Sequence, residues 1–283
     1  MKEPILRITD LHYTYPNKVH VLKGISLEIE RGQRVAVMGS NGSGKTTFFL
    51  CLNGVLKPQH GNIYFAGKKV DSSKKSLLEL KKNVGIVFQD PDSQLFLPIV
   101  EQEIAFGVMN LRLPEDRVMR QVDDVIKKLE LKELRHQPTH FLSYGQKKRV
   151  SIADVLVMEP QVIIMDEPTA SLDPKYAGQV DRIIEDLSSK GMTMLVSTHD
   201  VDRASAWADQ VIVFHDGQIC AAGPPEQIFS DRKLLEKANL ARPLILQLFD
   251  ELQDYGVLPE GIKAPKDKNE LVTYLKKYTA QNR

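Results

Sequence analysis

The stretch Gly39-Ser-Asn-Gly-Ser-Gly-Lys45-Thr46-Thr47 follows the apolar run Val35-Ala-Val-Met38 and leads into Phe48-Phe49-Leu50-Cys51-Leu52. The order is strand, glycine loop, helix, and the loop fits the pattern G-x-x-x-x-G-K-[ST]. Gly39, Ser40, Asn41, Gly42, Ser43 and Gly44 then form a phosphate cradle, because glycines let backbone N–H groups close on β- and γ-phosphates while the helix N-terminus adds positive potential. Lys45 supplies a mobile cation, Thr46 offers a hydroxyl to Mg²⁺, and Thr47 closes the run.

A second apolar segment, Val162-Ile-Ile-Met165, runs straight into Asp166-Glu167. An acidic pair at the exposed end of a buried strand suits Mg²⁺ chemistry: Asp166 holds a metal-bound water and Glu167 polarises the attacking water. Upstream, Leu142-Ser-Tyr-Gly-Gln146 and Lys147-Lys-Arg149 precede a helix-like stretch from Val150 to Met158. Ser143 falls at the N-cap or in the first turn, where its hydroxyl and the neighbouring amides face an anion.

With 283 residues the chain can bury a substantial core as one large domain or two smaller ones. Lys plus Arg (38) nearly balances Asp plus Glu (37), so no strong overall field draws the chain to nucleic acid or anionic lipid. No apolar run approaches the roughly 18 residues needed to cross a bilayer, and Met1-Lys-Glu-Pro-Ile-Leu-Arg lacks a signal-peptide core, so a soluble cytosolic chain is expected. Cys51 and Cys220 stand alone and read as buried, inert thiols rather than a disulfide. The seven histidines are scattered, with no Cys/His cluster at metal-ligand spacing.

Short alternating or β-branched segments come first, at Ile5–Thr9, His12–Tyr15, Ser26–Ile29, Val35–Met38 and Asn62–Phe65, and predict an antiparallel layer beside the first core strand. A short helix at Leu77, Leu78 and Leu80 precedes the strand Val84–Phe88. Leu95–Leu156 contains no convincing strand, and Val118, Val122, Val125, Ile126 and Leu129 have the spacing of an amphipathic helix. Strand signals return at Val162–Met165, Met192–Val196 and Val211–Phe214 with helical stretches between them, which indicates a parallel sheet covered on both faces. Beyond Ser230, leucines at 234, 235, 244, 246, 248 and 252 predict helices, and a Pro/Gly/Lys linker from Pro259 to Asn269 leads to a last helix around Glu270–Tyr278.

Taken together, Lys45, Gln89, Leu142–Gln146, Asp166-Glu167, Asp173 and His199 resemble the ATP-binding subunit of ATP-binding-cassette (ABC) transporters, in order and spacing, across about residues 3 to 230. The resemblance implies an α/β P-loop NTPase fold: a RecA-like parallel core, an N-terminal antiparallel β layer, and a helical subdomain inserted at about 93–156. It implies an ATPase domain over 1–230; outside its reach, 231–283 is read as a helical extension and is expected to reinforce dimer contact. ATP and Mg²⁺ are the implied cofactors. Tyr15 would stack on adenine, Gln89 would sense Mg²⁺ and the membrane partner, His199 would contact the γ-phosphate, and Asp173 would line the dimer interface. Two subunits would face each other head to tail, so that Ser143 and Gly145, with Gln146 beside them, meet the ATP held by the opposite Lys45. One departure stands out. The family's signature carries two adjacent glycines, and Tyr144 occupies the first position here; if that position required a positive φ, tyrosine would be strained.

Phe88-Gln-Asp-Pro-Asp-Ser-Gln-Leu-Phe96 with Val100-Glu-Gln-Glu-Ile-Ala-Phe-Gly107 is similar to the Q-loop region of energy-coupling-factor ATPases, and Leu142–Val150 with Val155–Pro160 to their cobalt/nickel branch. The partners so implied are a second ATPase subunit, identical or related, an integral membrane coupling subunit and a substrate-specific membrane component, at the cytoplasmic face of the membrane. The transported cobalt would be bound elsewhere, and Asp90–Phe106 would be the docking surface, with Asp92, Gln94 and Glu101 flanking the Q-loop. A vitamin importer is the alternative cargo. From other classes, a soluble ABC ATPase acting on DNA or the ribosome would show a sustained heptad or a second phosphate loop, and neither is present. Against a nucleotide sensor without turnover stand Glu167 and His199.

Overall fold

Residues 3–111 and 113–279 are described by a computed structural model. They divide into two units: the chain up to Gln33 with Lys45–Ser197, and Arg34–Gly44 with everything from Thr198 onward.

In the first unit β1 (Leu6–Thr14), β2 (His20–Ile29), β4 (His60–Phe65) and β5 (Lys68–Lys69) form an antiparallel sheet in the order β2-β1-β4-β5. The two segments expected at Ile5–Thr9 and His12–Tyr15 are one strand. Asp10 takes a φ of 50° and the register against β2 slips between Ile8 and Leu11. The buried set therefore passes from Leu6 and Ile8 to Leu11 and Tyr13, because a one-residue bulge inverts an alternation of period two.

The same unit carries β6 (Val84–Val87), β7 (Val162–Met165) and β8 (Thr193–Ser197), paired in parallel and buried along their whole length. Strands covered on both faces read as continuous apolar runs, and the sequence marks all three. Its helices are α1 (Lys45–Leu52), α2 (Lys74–Asn83), α3 (Val100–Met109), α4 (Glu115–Lys128), α5 (Tyr144–Leu156) and α6 (Pro174–Ser189). Between Leu95 and Leu156 the described residues form helices α3 to α5, short 3-10 turns and a single isolated bridge, Ile99 to Pro138. The α4 helix buries Val118, Val122, Val125 and Ile126, as their spacing predicts. α5 starts at Tyr144, with Ser143 at the N-cap as expected: Ser143 and Gln146 close a reciprocal capping box ahead of the apolar run that begins at Val150.

In the second unit β3 (Arg34–Met38) pairs in parallel with β9 (Gln210–His215), and β10 (Gln218–Gly223) returns antiparallel to β9. The hairpin turn is Asp216-Gly217, with φ of 46° and 77°; the Asp-Gly signal for it was present in the sequence. Cys220 lies within β10 and is half-buried, so only Cys51 is the fully buried thiol that was expected. Burial pushes the Cys51 thiol up to about 12, and raises Cys220 as well. The unit continues through α7 (Val201–Trp207), α8 (Pro225–Ser230), α9 (Arg232–Ala238), α10 (Leu244–Asp254) and α11 (Lys268–Thr279). Phe249, Leu258 and Leu271 form a small core joining α10 to α11.

Candidate functional site

The phosphate-loop run passes from the second unit to the first between Gly44 and Lys45. On the second unit's side, the loop leaves the end of β3 with positive φ at Gly39, Gly42 and Gly44 (138°, 77° and 107°). Gly39 is also fixed by a close approach, since a Cβ there would meet the Phe214 carbonyl oxygen at 2.2 Å. Within the loop Ser43 N–H donates to the Ser40 carbonyl at 3.2 Å, and the Gly217 N–H closes on the Ser43 carbonyl at 3.0 Å. His199, between β8 and α7, sets its Nε2 3.1 Å from Asn41 Oδ1, so the expected γ-phosphate contact and the loop share a hydrogen bond.

On the first unit's side, α1 opens with Lys45, which is buried; burial holds its ammonium below the ordinary lysine range, opposed by Glu167 and Asp166. Thr46 Oγ1 donates to Asp166 Oδ2 at 2.6 Å, and Ser197 Oγ donates to Asp166 Oδ1 at 2.5 Å. Glu167 N–H donates to the same Ser197 hydroxyl at 2.8 Å. The ends of β7 and β8 and the first turn of α1 are thus joined through one carboxylate. Glu167 adopts a φ of 43°, a left-handed backbone rare for residues other than glycine and found where surrounding structure enforces it. Ser197 was not singled out from the sequence; its signal was a hydroxyl following the apolar run Met194–Val196, just before Thr198-His199.

Tyr15 is half-buried, with its hydroxyl 3.2 Å from Thr47 Oγ1 and its ring edge-on to Tyr13 at 4.9 Å. Gln89 is exposed just beyond β6. Ser143 is the N-cap of α5: its Oγ accepts from Gln146 N–H at 3.4 Å, and Gln146 Oε1 accepts from Ser143 N–H at 2.8 Å. Tyr144 is the first helical residue and is not among those with positive φ, so the strain considered for it does not arise. Its hydroxyl donates to the Gln89 carbonyl at 3.3 Å. Gly145 faces α6, and a Cβ on it would lie 2.4 Å from Tyr176 Cγ. Asp173 caps α6 by accepting from Tyr176 N–H at 3.0 Å.

Two expectations about the surface change. Gln94 is not free for docking: its side chain accepts from Phe88 N–H and donates to the Ser151 carbonyl and to Asp154 Oδ2, at 3.2, 2.8 and 3.1 Å. Glu101 pairs with Arg135, and Asp92 with Lys147 at 2.6 Å. The histidines are not all scattered either, because the sheet places His20 and His60 on either side of His12, at ring distances of 5.6 and 6.2 Å, with Asp10 2.9 Å from His12 Nε2. Among the described residues, no group of three or more His, Cys, Asp and Glu is arranged to hold a metal ion, and no helix is long and apolar enough to cross a membrane.

The family model of the ABC transporter matches residues 22–170. An energy-coupling factor transporter ATP-binding protein from Methanocaldococcus jannaschii is 43% identical over 274 residues, 96% of this chain and 98% of that protein. Another, from Clostridium perfringens, is 42% identical over 255 residues, 90% of each. Among solved structures, CbiO1 from Clostridium perfringens, described as part of the ABC transporter complex CbiONQ, superposes with a TM-score of 0.74 at 41% identity, covering 89% of this chain and all of that one. A dimeric ATP-binding cassette in a post-hydrolysis state, bound to ADP and Pi, gives a TM-score of 0.70 at 25% identity, over 78% of this chain and 98% of that one. A phosphate loop, an acidic strand end tied to it, and likeness over nearly the whole chain lead to one conclusion: this chain belongs to the ABC transporter family, as an ATP-binding subunit of the energy-coupling factor type.

Proposed function

We propose that this ATPase works as one of a pair of subunits at the cytoplasmic face of the membrane and couples ATP hydrolysis to the uptake of cobalt or nickel ions. Gly39–Gly44 and Lys45 hold the β- and γ-phosphates, Tyr15 stacks on adenine, and Thr47 closes the loop. Glu167 polarises the attacking water and His199 contacts the γ-phosphate. Ser143, Gly145 and Gln146 meet the ATP of the opposite subunit, with Asp173 at the interface. What carries the reading is the carboxylate of Asp166, shared between Thr46 and Ser197, with Glu167 hydrogen-bonded to the same serine. Thr46 and Asp166 are hard oxygen donors 2.6 Å apart, a set that suits Mg²⁺ and would hold it together with Gln89. When bound, Mg²⁺ neutralises phosphate charge as it develops.

Cargo is selected and bound by separate membrane components, and movement passes to an integral coupling subunit through the surface Asp90–Phe106. Phe96 and Phe106 support that surface: they are 65% and 41% exposed and stacked edge-on at 4.9 Å, an apolar pair that a partner would cover. The domain reading stands beside this as a proposal: an ATPase domain over 1–230 with its helical subdomain at about 93–156, and an extension over 231–283 that adds dimer contact. Leu244, Leu248 and Tyr255, exposed along α10 and just past its end, support the latter. The cobalt/nickel assignment rests on the likeness to CbiO1 and on the sequence around the signature. Co-purification with membrane subunits, followed by reconstitution in vesicles, should give ATP-dependent uptake of Co²⁺ or Ni²⁺. Uptake of a vitamin without either metal would overturn the cargo, and ATPase activity with no membrane partner recovered would overturn the transport role.

A further inference from the structure

Beyond β6 the hydrogen bonds of Phe88 and Gln89 are taken over by side chains. The Val87 carbonyl still accepts from the backbone, from Asp166 N–H at 2.9 Å. Phe88 N–H, however, donates to Gln94 Oε1 at 3.2 Å, and the Phe88 carbonyl accepts from Lys148 Nζ at 2.8 Å. The Gln89 carbonyl accepts from Lys148 Nζ at 2.6 Å and from the Tyr144 hydroxyl at 3.3 Å. Buried backbone polar groups need partners, and here the two carbonyls find theirs on α5 while the Phe88 N–H finds Gln94, itself held by α5. Tyr144, Lys147, Lys148, Ser151 and Asp154 are spaced three, four and seven apart and share one helix face. Lys147 reaches Asp92, and Ser151 and Asp154 accept from Gln94. One face of α5 grips the whole segment from Phe88 to Gln94.

Lys148 is the costly member of that face. It is 0% exposed, in a position where lysine is rarely found without a partner. Burial pushes its ammonium down to about 8, with Asp166 and Asp90 opposing the fall. Two charge-assisted hydrogen bonds to consecutive carbonyls offset the desolvation. An ammonium supplies several donors at one point and so can hold both carbonyls at once.

We propose that Lys148 is a positioning residue: by clamping the carbonyls of Phe88 and Gln89 onto α5, it aims the Gln89 side chain from the same helix whose N-terminus carries Ser143 and Gly145. The proposal rests on the reading of Gln89 as a Mg²⁺ contact. Its test compares Lys148→Met and Lys148→Gln in the purified full chain, by steady-state Mg-ATP hydrolysis, ATP titration calorimetry and hydrogen–deuterium exchange of peptides covering residues 88–94. In Lys148→Met, kcat should fall at least tenfold while the ATP Kd stays within twofold. Lys148→Gln, which keeps an N–H donor, should fall between that variant and the wild type. Exchange over 88–94 should rise, with peptides of α4 and β7 unchanged. Gln89→Ala combined with Lys148→Met should hydrolyse no more slowly than Gln89→Ala alone, because the lysine acts through the glutamine. A kcat within twofold of wild type in Lys148→Met, equal losses in the two lysine variants, or losses that multiply in the double variant would overturn the proposal. If Gln89→Ala alone hydrolyses at the wild-type rate, the role given to Gln89 fails separately, and unchanged exchange over 88–94 then decides against the clamp. Should Lys148→Met fail to fold, Lys148→Gln carries the same comparison.

Discussion

Replacing Asp154 by Asn should stabilise this protein at alkaline pH and leave it nearly unchanged in acid. Asp154 sits on the face of α5 that grips the Gln89 loop, where burial lifts its carboxyl from 3.8 to about 7, a hydrogen bond from Gln94 opposes the rise, and Glu103 adds to it. The native state keeps a proton that the unfolded chain releases from about pH 4 upward. Native protein then binds more protons than unfolded, so the free energy of unfolding falls as pH rises through this window and levels off above about 7. A rise of roughly three pH units, at about 1.4 kcal/mol each, sets a ceiling of about 4 kcal/mol. Asn cannot ionise, and its carbonyl can accept the same Gln94 donor. Urea unfolding of the two proteins, followed by far-UV circular dichroism from pH 4 to 8.5, should give midpoints that coincide near pH 4. They should separate by a stability difference of about 2–4 kcal/mol at pH 8, with the variant the more stable. Parallel curves across the range would refute the reasoning, because Asp154 would then ionise alike in folded and unfolded chains; a less stable variant at pH 8 would mean that the charge itself holds α5 in place.

Glu167→Gln should preserve ATP affinity and abolish most turnover, since the amide keeps the shape of the side chain without polarising water as a carboxylate does; ATP-dependent dimers should accumulate in sedimentation, and single-turnover hydrolysis at the wild-type rate would remove the role proposed for Glu167. Lys45→Ala deletes a charge-assisted contact to phosphate and should weaken nucleotide binding itself by at least tenfold. Unchanged affinity by titration calorimetry would contradict that. Tyr144→Gly should change turnover by less than about twofold and cost about 1 kcal/mol of stability, because glycine frays the first turn of α5 and the hydrogen bond to the Gln89 carbonyl is lost. A several-fold rise in steady-state hydrolysis would show instead that the ring had been crowding the opposite nucleotide.

The parallel strands were legible in the sequence because burial on both faces leaves a continuous apolar run, as in Val162–Met165 and in Met194–Val196 of β8. Boundaries were lost wherever a local backbone device broke the period. The bulge at Asp10 made one strand look like two, whereas at Ser143 the capping residue itself marked the helix start ahead of the apolar run. β10 hid behind its own composition, since Gln218, Cys220, Ala221 and Ala222 are only half-buried or exposed and carry no alternation. The motif residues of the candidate site could be named one by one because their chemistry depends on residue type and order. Their supports could not. Ser197 and Lys148 act through long-range contacts, 31 and about 60 positions away in sequence; a hydroxyl at the end of an apolar run hints at the serine, but no local pattern names its partner or marks the lysine.

Tyr144 and Gly145 show how geometry separates two positions that a motif treats alike. In a signature with two adjacent glycines, each residue is equally open to a conformational or a steric explanation, and sequence alone offers no choice between them. Neither position here shows a positive φ, so neither glycine is required for its backbone freedom. Gly145 is held by space alone: a Cβ would lie within 2.8 Å of three Tyr176 atoms, two of them in the ring, and α6 would have to move to admit it. Tyr144 faces the other way, toward the Gln89 carbonyl, where its hydroxyl shares an acceptor with Lys148. The substitution therefore costs the helix nothing that the fold needs and adds a contact on the face of α5 that already holds the loop. A departure that reads as damage in the motif becomes, in three dimensions, a second grip on the Gln89 carbonyl.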